Sequence, residues 1–253
     1  FSQPNVTYCE SRLATEEEIA RIHTLKWIEE VKRSQWWRVS LRSVGGLLQA
    51  TEKVLQGEID NALVIAGVGG HHAHRDSAWG GCYFSVTGLG IPHAREKFGT
   101  TKFAIVDTDT HHADGVRDIF LHDDDVLHLC FCGGYYGDEY DDPVTENRTK
   151  FCFPHGSSDG EEIENFIKEV PGRIEEFRPE MVFWICGMDT HRDSYGTRAL
   201  TDNCYPRLAE IIKATADRVC DGKLIVKTCC NAPPHATAYA LPRIVKHLAE
   251  LDE

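Results

Sequence analysis

The sequence predicts a single-domain α/β fold, an open doubly wound sheet, mostly parallel and flanked by helices, and three observations carry that expectation. Five short apolar runs, at 62–66, 103–106, 126–131, 181–186 and 224–226, are continuous rather than alternating, as strands buried on both faces require. Helical patterns fill much of the space between them, notably at 161–177, 205–220 and 235–251. The chain of 253 residues is long enough for one large core and short for two domains.

The elements follow in order. Thr15-Glu16-Glu17-Glu18 is a capping box, in which Thr15 accepts an amide of the first turn and Glu18 reaches back. Ile19, Ile22, Leu25, Ile28 and Val31 then recur at helical spacing and read as one helix. A second helix runs from near Ser43 to Gly57, with Val44, Leu47, Leu48, Val54 and Leu55 on its apolar side and Gly57 as its stop. Apolar runs and helical segments alternate from there. The exception is 133–162, about thirty residues rich in Gly, Asp and Tyr and without period, which is expected to be a functional or disordered loop.

A formal net charge of −13 speaks against general nucleic-acid binding, which needs clustered Lys and Arg. It suits a cationic partner, such as a basic peptide or a polyamine, and equally suits plain solubility. No apolar run approaches the ~18–20 residues of a membrane span, and no secretory leader opens the sequence. The irregular, polar start over 1–13 reads as the middle of something longer. Most of the ten cysteines sit in apolar runs, as Cys130, Cys132, Cys186 and Cys220 do, so free thiols in a reducing cytoplasm (or nucleus, in a eukaryote) are expected. Cys130-x-Cys132 and Cys229-Cys230 lack the C-x-x-C spacing of a structural zinc site and read as small hydrophobes.

In doubly wound sheets ligands bind beyond the carboxyl ends of the strands. There the sequence places Gly69-Gly70-His71-His72, then Asp107-Thr108-Asp109-Thr110-His111-His112-Ala113-Asp114-Gly115, then Gly187-Met188-Asp189-Thr190-His191-Arg192-Asp193. A lone His or Asp at such a place is usually a cap or a solvated loop residue. Three clusters at one rim predict a metal site. Asp and His donors point to a divalent ion, with zinc favoured over the alternatives Fe2+, Co2+ and Mn2+.

At these residues the sequence resembles the histone deacetylase and acetylpolyamine amidohydrolase family. The resemblance covers nearly all the chain from Ala14 onward. It rests on the Ala14-Thr15-Glu16-Glu17-Glu18 helix start with its Arg21-Ile22-His23, on Gly70-His71-His72-Ala73, on Asp107-x-Asp109-x-His111-His112 with Asp114-Gly115, and on Asp189-x-His191. It implies the arginase/deacetylase-like version of the fold. Asp109, His111 and Asp189 would hold zinc, and His71 and His72 would serve as general base and acid, oriented by Asp107 and Asp114. A carboxylate behind an imidazole fixes its tautomer and raises its basicity. Backbone at 107–109 and 129–131 would line a structural K+ site. The implied reaction is hydrolysis of an acyl-amine, in an acylated lysine peptide or protein or an acetylpolyamine.

Three departures stand out. The family's oxyanion Tyr follows a glycine run after the last strand. Here that stretch reads Lys227-Thr228-Cys229-Cys230-Asn231-Ala232-Pro233-Pro234-His235, with Asn231 in the Tyr position and His235 as the other candidate donor. Gly81 lies where a Phe usually walls the acyl-lysine tunnel, which predicts a wider tunnel, with Tyr135 or Tyr136 as the opposite wall. The segment after the last strand is shorter than usual, and an N-terminal rim portion is missing. Two other functions fit parts of the pattern. Asp189-x-His191-x-Asp193 is the spacing of a dinuclear manganese ureohydrolase, though tandem histidines are foreign to that centre. The missing Tyr would also suit a metal-binding, non-catalytic protein. A dinucleotide-binding G-x-G-x-x-G and a G-x-S-x-G elbow are both absent.

Overall fold

The computed structural model describes residues 3–132, 149–196, 199–230 and 233–251. Its six strands, β1 (Asn61–Val64), β2 (Phe103–Asp107), β3 (Val126–Phe131), β4 (Lys150–Phe153), β5 (Met181–Cys186) and β6 (Leu224–Thr228), form one sheet in the order β1-β6-β5-β2-β3-β4. Every neighbouring pair is parallel. Strand β2 is followed on one side by β3 and β4, and on the other by β5 and β6. The winding therefore reverses between β2 and β5, and a crevice opens at their carboxyl ends. Asp109 follows β2 by two residues and Asp189 follows β5 by three, so both lie at that crevice.

All five apolar runs became strands. Strand β1 is an edge strand, and the chain travels from Ile65 to Gly70 before delivering His71 and His72. The segment 133–162 is not loop throughout: it contains β4 and the start of the helix over Asp159–Glu169. A four-residue strand is too short to show a period. The helix opening at Thr15 stops after one turn. It divides into α1 (Glu16–Ile19) and α2 (Leu25–Lys32), because Thr24 caps the second piece afresh through the Trp27 amide. Next come α3 (Trp37–Leu55), α4 (Val86–Phe98) and α5 (Asp114–Phe120). Pro171 divides the expected 161–177 helix into α6 (Asp159–Glu169) and α7 (Pro171–Phe177), and α8 (Cys204–Cys220) and α9 (Pro234–Leu248) complete the chain.

Alternation along the strands sends side chains to two cores. Phe103, Ile105, Cys130, Phe183, Ile185 and Ile225 face α1 to α5, packing on Leu47, Leu89 and Val116. Ala104, Val106, Leu129, Trp184, Cys186 and Val226 face α6 to α9, packing on Phe166, Leu208 and Ile244. Burial on both faces is why these strands lack polar alternation. Among the described residues no helix is long and apolar enough to cross a membrane.

One buried imidazole links this packing to acid stability. His23 is 2% exposed, accepts the Ser85 amide at Nε2 (2.9 Å) and lies tilted against Phe84. Burial lowers its pKa to about 4. The unfolded chain protonates this ring near pH 6.5 and the folded chain does not, so its contribution is complete above pH 6.5 and is lost as pH falls towards 4. A shift of that size corresponds to about 3 kcal/mol. We expect wild-type stability in urea to fall more between pH 7 and 4 than that of His23→Leu. Parallel losses in the two proteins would contradict the assignment.

Candidate active site and metal centre

The turn after β2 is held by its own side chains. The Asp109 amide donates to Asp107 Oδ1 (2.9 Å), the His111 amide to Asp109 Oδ1 (3.0 Å), and the Thr110 amide to Asp189 Oδ1 (3.2 Å) across the crevice. Trp184 in β5 reinforces this crossing, its indole donating to Thr108 Oγ1 at 3.0 Å. Helix α5 brings the next group. Its Val116 amide donates to the His71 carbonyl, and a Cβ on Gly115 would fall 2.5 Å from the Ala73 nitrogen, so only glycine lets the helix sit this close.

Two His–Asp pairs result. His71 Nδ1 lies 3.0 Å from Asp107 Oδ2, and its Nε2 faces Asp109 Oδ1 at 3.7 Å. His72 Nδ1 lies 2.6 Å from Asp114 Oδ1, and the two rings are 3.9 Å apart. Their environments drive them apart. Burial acts downward on His71, but Cys229 and the Asp109 and Asp107 carboxylates lift it well above its ordinary pKa. Burial and the neighbouring His71 charge lower His72, against the pull of Asp114.

Beside them, Asp109, His111 and Asp189 offer donor atoms all within 4.8 Å of one another. His111 Nδ1 is 3.0 Å from Asp109 Oδ1 and 3.1 Å from Asp189 Oδ2, and the pull of those two carboxylates raises its pKa to about 9. Burial penalises both carboxylates. At Asp109, His71, His111 and Cys230 prevail and hold it far below the usual range; at Asp189, burial and the Asp109 charge prevail and push it up. Asp189 Oδ2 is fully buried and has no hydrogen-bond partner, although His111 Nδ1 is near. Two buried carboxylates, one orphaned oxygen and one imidazole make a donor set that fits a divalent cation.

Seven of the expected site residues are thus brought together: His71, His72, Asp107, Asp109, His111, Asp114 and Asp189. Gly81 is at the rim with φ +76°, and a Cβ there would meet open space, in keeping with a missing wall. Asn231, Tyr135 and Tyr136 lie outside the described residues. His235 is not at the cluster; its Nε2 faces Asp193 Oδ2 (3.4 Å) and its ring meets His191 edge-on. His191 is bonded to Asp202 (2.8 Å) and Asp193 is exposed, so neither joins the Asp109–His111–Asp189 group as a dinuclear centre would need. Of the backbone expected to line a K+ site, the Asp109 carbonyl accepts His155 Nε2 at 3.0 Å, and His155 is in turn held by buried Glu162.

Four residues were not foreseen. Trp79 stacks on His72 at 3.7 Å and donates to Asp114 Oδ2 at 2.7 Å. Cys230 donates to Asp109 Oδ2 at 2.5 Å, and Cys229 joins it near His71. The Tyr195 ring lies 5.9 Å from that of His111, and its phenol is held above its ordinary pKa by desolvation and by Cys230 and the two carboxylates. The only sequence signal for Cys229 and Cys230 was their place just beyond β6.

The fold resembles that of the HD domain of HDA15, with a TM-score of 0.86 over 96% of this chain and 76% of that one, at 21% identity. Among relatives of known sequence, a histone deacetylase-like amidohydrolase of Pseudomonas aeruginosa is 26% identical over 84% of the chain. A probable deacetylase of Archaeoglobus fulgidus is 29% identical over 74%, and a polyamine deacetylase of Mus musculus 26% over 82%. The chain spans 63%, 54% and 37% of those three proteins' lengths. Residues 32–228, most of the chain and all six strands, match the histone deacetylase domain, and the chain belongs to that family.

Proposed function

We propose that this chain is a zinc-dependent amidohydrolase that removes an acyl group from an amine, in acyl-lysine of a peptide or protein or in an acetylpolyamine. The observation that carries the proposal is the convergence of two His–Asp pairs on the Asp109–His111–Asp189 donor set. Asp109, His111 and Asp189 hold the ion. The nearness of Cys230 favours zinc over a harder ion such as Mn2+. When bound, zinc supplies Lewis-acid polarisation of the amide carbonyl and lowers the pKa of a water.

The protein's own groups manage the proton. Asp107 and Asp114 hold the Nδ1 atoms, leaving Nε2 of each ring as the working nitrogen. His72, held neutral, takes the proton of the attacking water, the base role the resemblance gave to His71, and returns it to the leaving amine nitrogen. His71 remains charged and stabilises the anion that develops at the carbonyl. Tyr195 is the described phenol near the centre that can donate to that oxyanion. The acidic chain suits a cationic substrate carrier, and its thiols suit a reducing compartment, cytoplasmic or nuclear; none of the ten is in a disulfide.

The test is release of free amine from an acetyl-lysine peptide and from an acetylpolyamine by the zinc-loaded protein. His72→Ala is expected to lower kcat by ~10²–10⁴-fold. Full metal occupancy with no turnover of either substrate would favour the non-catalytic, acyl-amine-binding alternative.

A further inference from the structure

The carboxyl ends of β2, β3 and β4 carry a second group of donors that the proposed chemistry does not use. Cys130 and Cys132 are two residues apart along β3 and its continuation, so they emerge on the same side of the sheet. Cys152 in β4 is the register partner of Cys130 and shares that side. His112, one residue beyond His111, turns its ring towards all three. Its Nδ1 lies 3.3 Å from Cys132 Sγ, 3.5 Å from Cys152 Sγ and 3.8 Å from Cys130 Sγ.

The donor atoms of His112, Cys132 and Cys152 all lie within 4.8 Å of one another, a spacing that suits a metal. With zinc–sulfur bonds of about 2.3 Å and zinc–nitrogen bonds of about 2.0 Å, tetrahedral donors sit about 3.5–3.8 Å apart. Cys130, whose Sγ is 3.8 Å from the same imidazole nitrogen, is the fourth donor that would complete a closed shell, with no position open for substrate. A second observation points the same way. A dication held by three thiolates and a neutral imidazole carries one net negative charge, and Arg117, 5% exposed, aims its guanidinium at this cluster. Its Nη2 donates to Cys152 Sγ (3.4 Å) and to the Phe151 carbonyl (2.9 Å), and its Nε to His128 Nδ1 (3.2 Å). The Ala113 amide is directed at Cys130 Sγ (3.5 Å). A cation and a backbone N–H both pointed at sulfur are what thiolates require.

We propose that His112, Cys130, Cys132 and Cys152 form a structural zinc site of Cys3His type, separate from the Asp109–His111–Asp189 centre. Binding displaces the three thiol protons to solvent and leaves the metal's oxidation state unchanged. The closed shell ties three strand ends together and fixes the His111–His112 dipeptide from the side away from substrate.

The experiment uses the full chain purified under reducing conditions with zinc, and a parallel preparation loaded with cobalt. Wild type is expected to hold one more ion per chain than Cys152→Ser or Cys132→Ser, and its cobalt form to show thiolate-to-metal charge transfer that both variants lose. Cys152 is exposed on the edge strand, so its variant keeps the core intact. Asp189→Asn, which removes a ligand of the other centre, is expected to keep the charge-transfer band. In the folded zinc protein, three fewer thiols should react with Ellman's reagent than after chelation. Equal metal content in wild type and Cys152→Ser, with no charge-transfer band, overturns the site. A protein lighter by two hydrogens, with two of these cysteines joined as a disulfide, overturns it as well.

Discussion

Asp189→Asn is expected to abolish ion binding at the Asp109–His111–Asp189 centre while leaving the ion-free protein at least as stable as wild type. The physical reason is charge. Two fully buried carboxylates face one imidazole, and the Asp189 oxygen that no hydrogen bond satisfies is the atom most in need of a cation. With no ion present, the pair repels itself, and neutralising Asp189 relieves the repulsion. With an ion present, wild type gains mass-action stabilisation of about 4 kcal/mol at a thousandfold excess over Kd, and the variant does not. Thermal melts with and without zinc measure both quantities. Activity should fall ~10³-fold or more, the equivalent of the several kcal/mol that a bound ion contributes to a polarised transition state. Full occupancy in the variant rejects Asp189 as a ligand; a large loss of ion-free stability would make its role structural.

Gly187→Ala carries the largest expected cost in folding. Where β5 ends, a Cβ on Gly187 would lie 2.3 Å from Asp109 Cα, 2.6 Å from its Cβ and 2.7 Å from its amide nitrogen. Those are mainly backbone atoms of a turn fixed by the Asp107 and Trp184 hydrogen bonds, so they cannot move aside as a flexible side chain would. The substitution should destabilise by about 3 kcal/mol or more, and any molecules that fold should hold Asp109 out of place and bind zinc poorly. Gly172→Ala is the control: it lies inside α7 with open space around a Cβ and should be neutral or stabilising by up to about 1 kcal/mol. Similar melting temperatures for the two variants would show that β5 and the Asp109 turn are not packed this closely.

The candidate site was legible in the sequence because its signals are local. Asp107, Asp109, His111 and Asp114 fall within eight consecutive residues, and each His–Asp pair joins two such short motifs at one rim. The strands were legible for the same reason, since burial on both faces removes every polar residue from a run such as Met181–Cys186. What escaped was set by partners distant in sequence. Strand β4 earns its place only by pairing with β3, and its Lys150 is a buried ammonium bonded to the Asp123 and Val126 carbonyls. The division of α1 from α2 depends on a hydroxyl cap at Thr24 that leaves the hydrophobic period unbroken. Along the chain Cys130-x-Cys132 reads as a pair of small hydrophobes, and only the sheet brings Cys152 and His112 beside it. Cys130 and Cys152 are twenty-two residues apart in sequence and direct neighbours in register.

Trp79 gives the site a built-in optical signal. Its indole is stacked face to face on His72 and hydrogen-bonded to the carboxylate that orients that ring, while also standing edge-on to His111 at 6.4 Å. An imidazolium quenches a stacked indole far more than a neutral imidazole does. The part of the emission that comes from Trp79, one of five tryptophans, is therefore expected to follow the charge on His72.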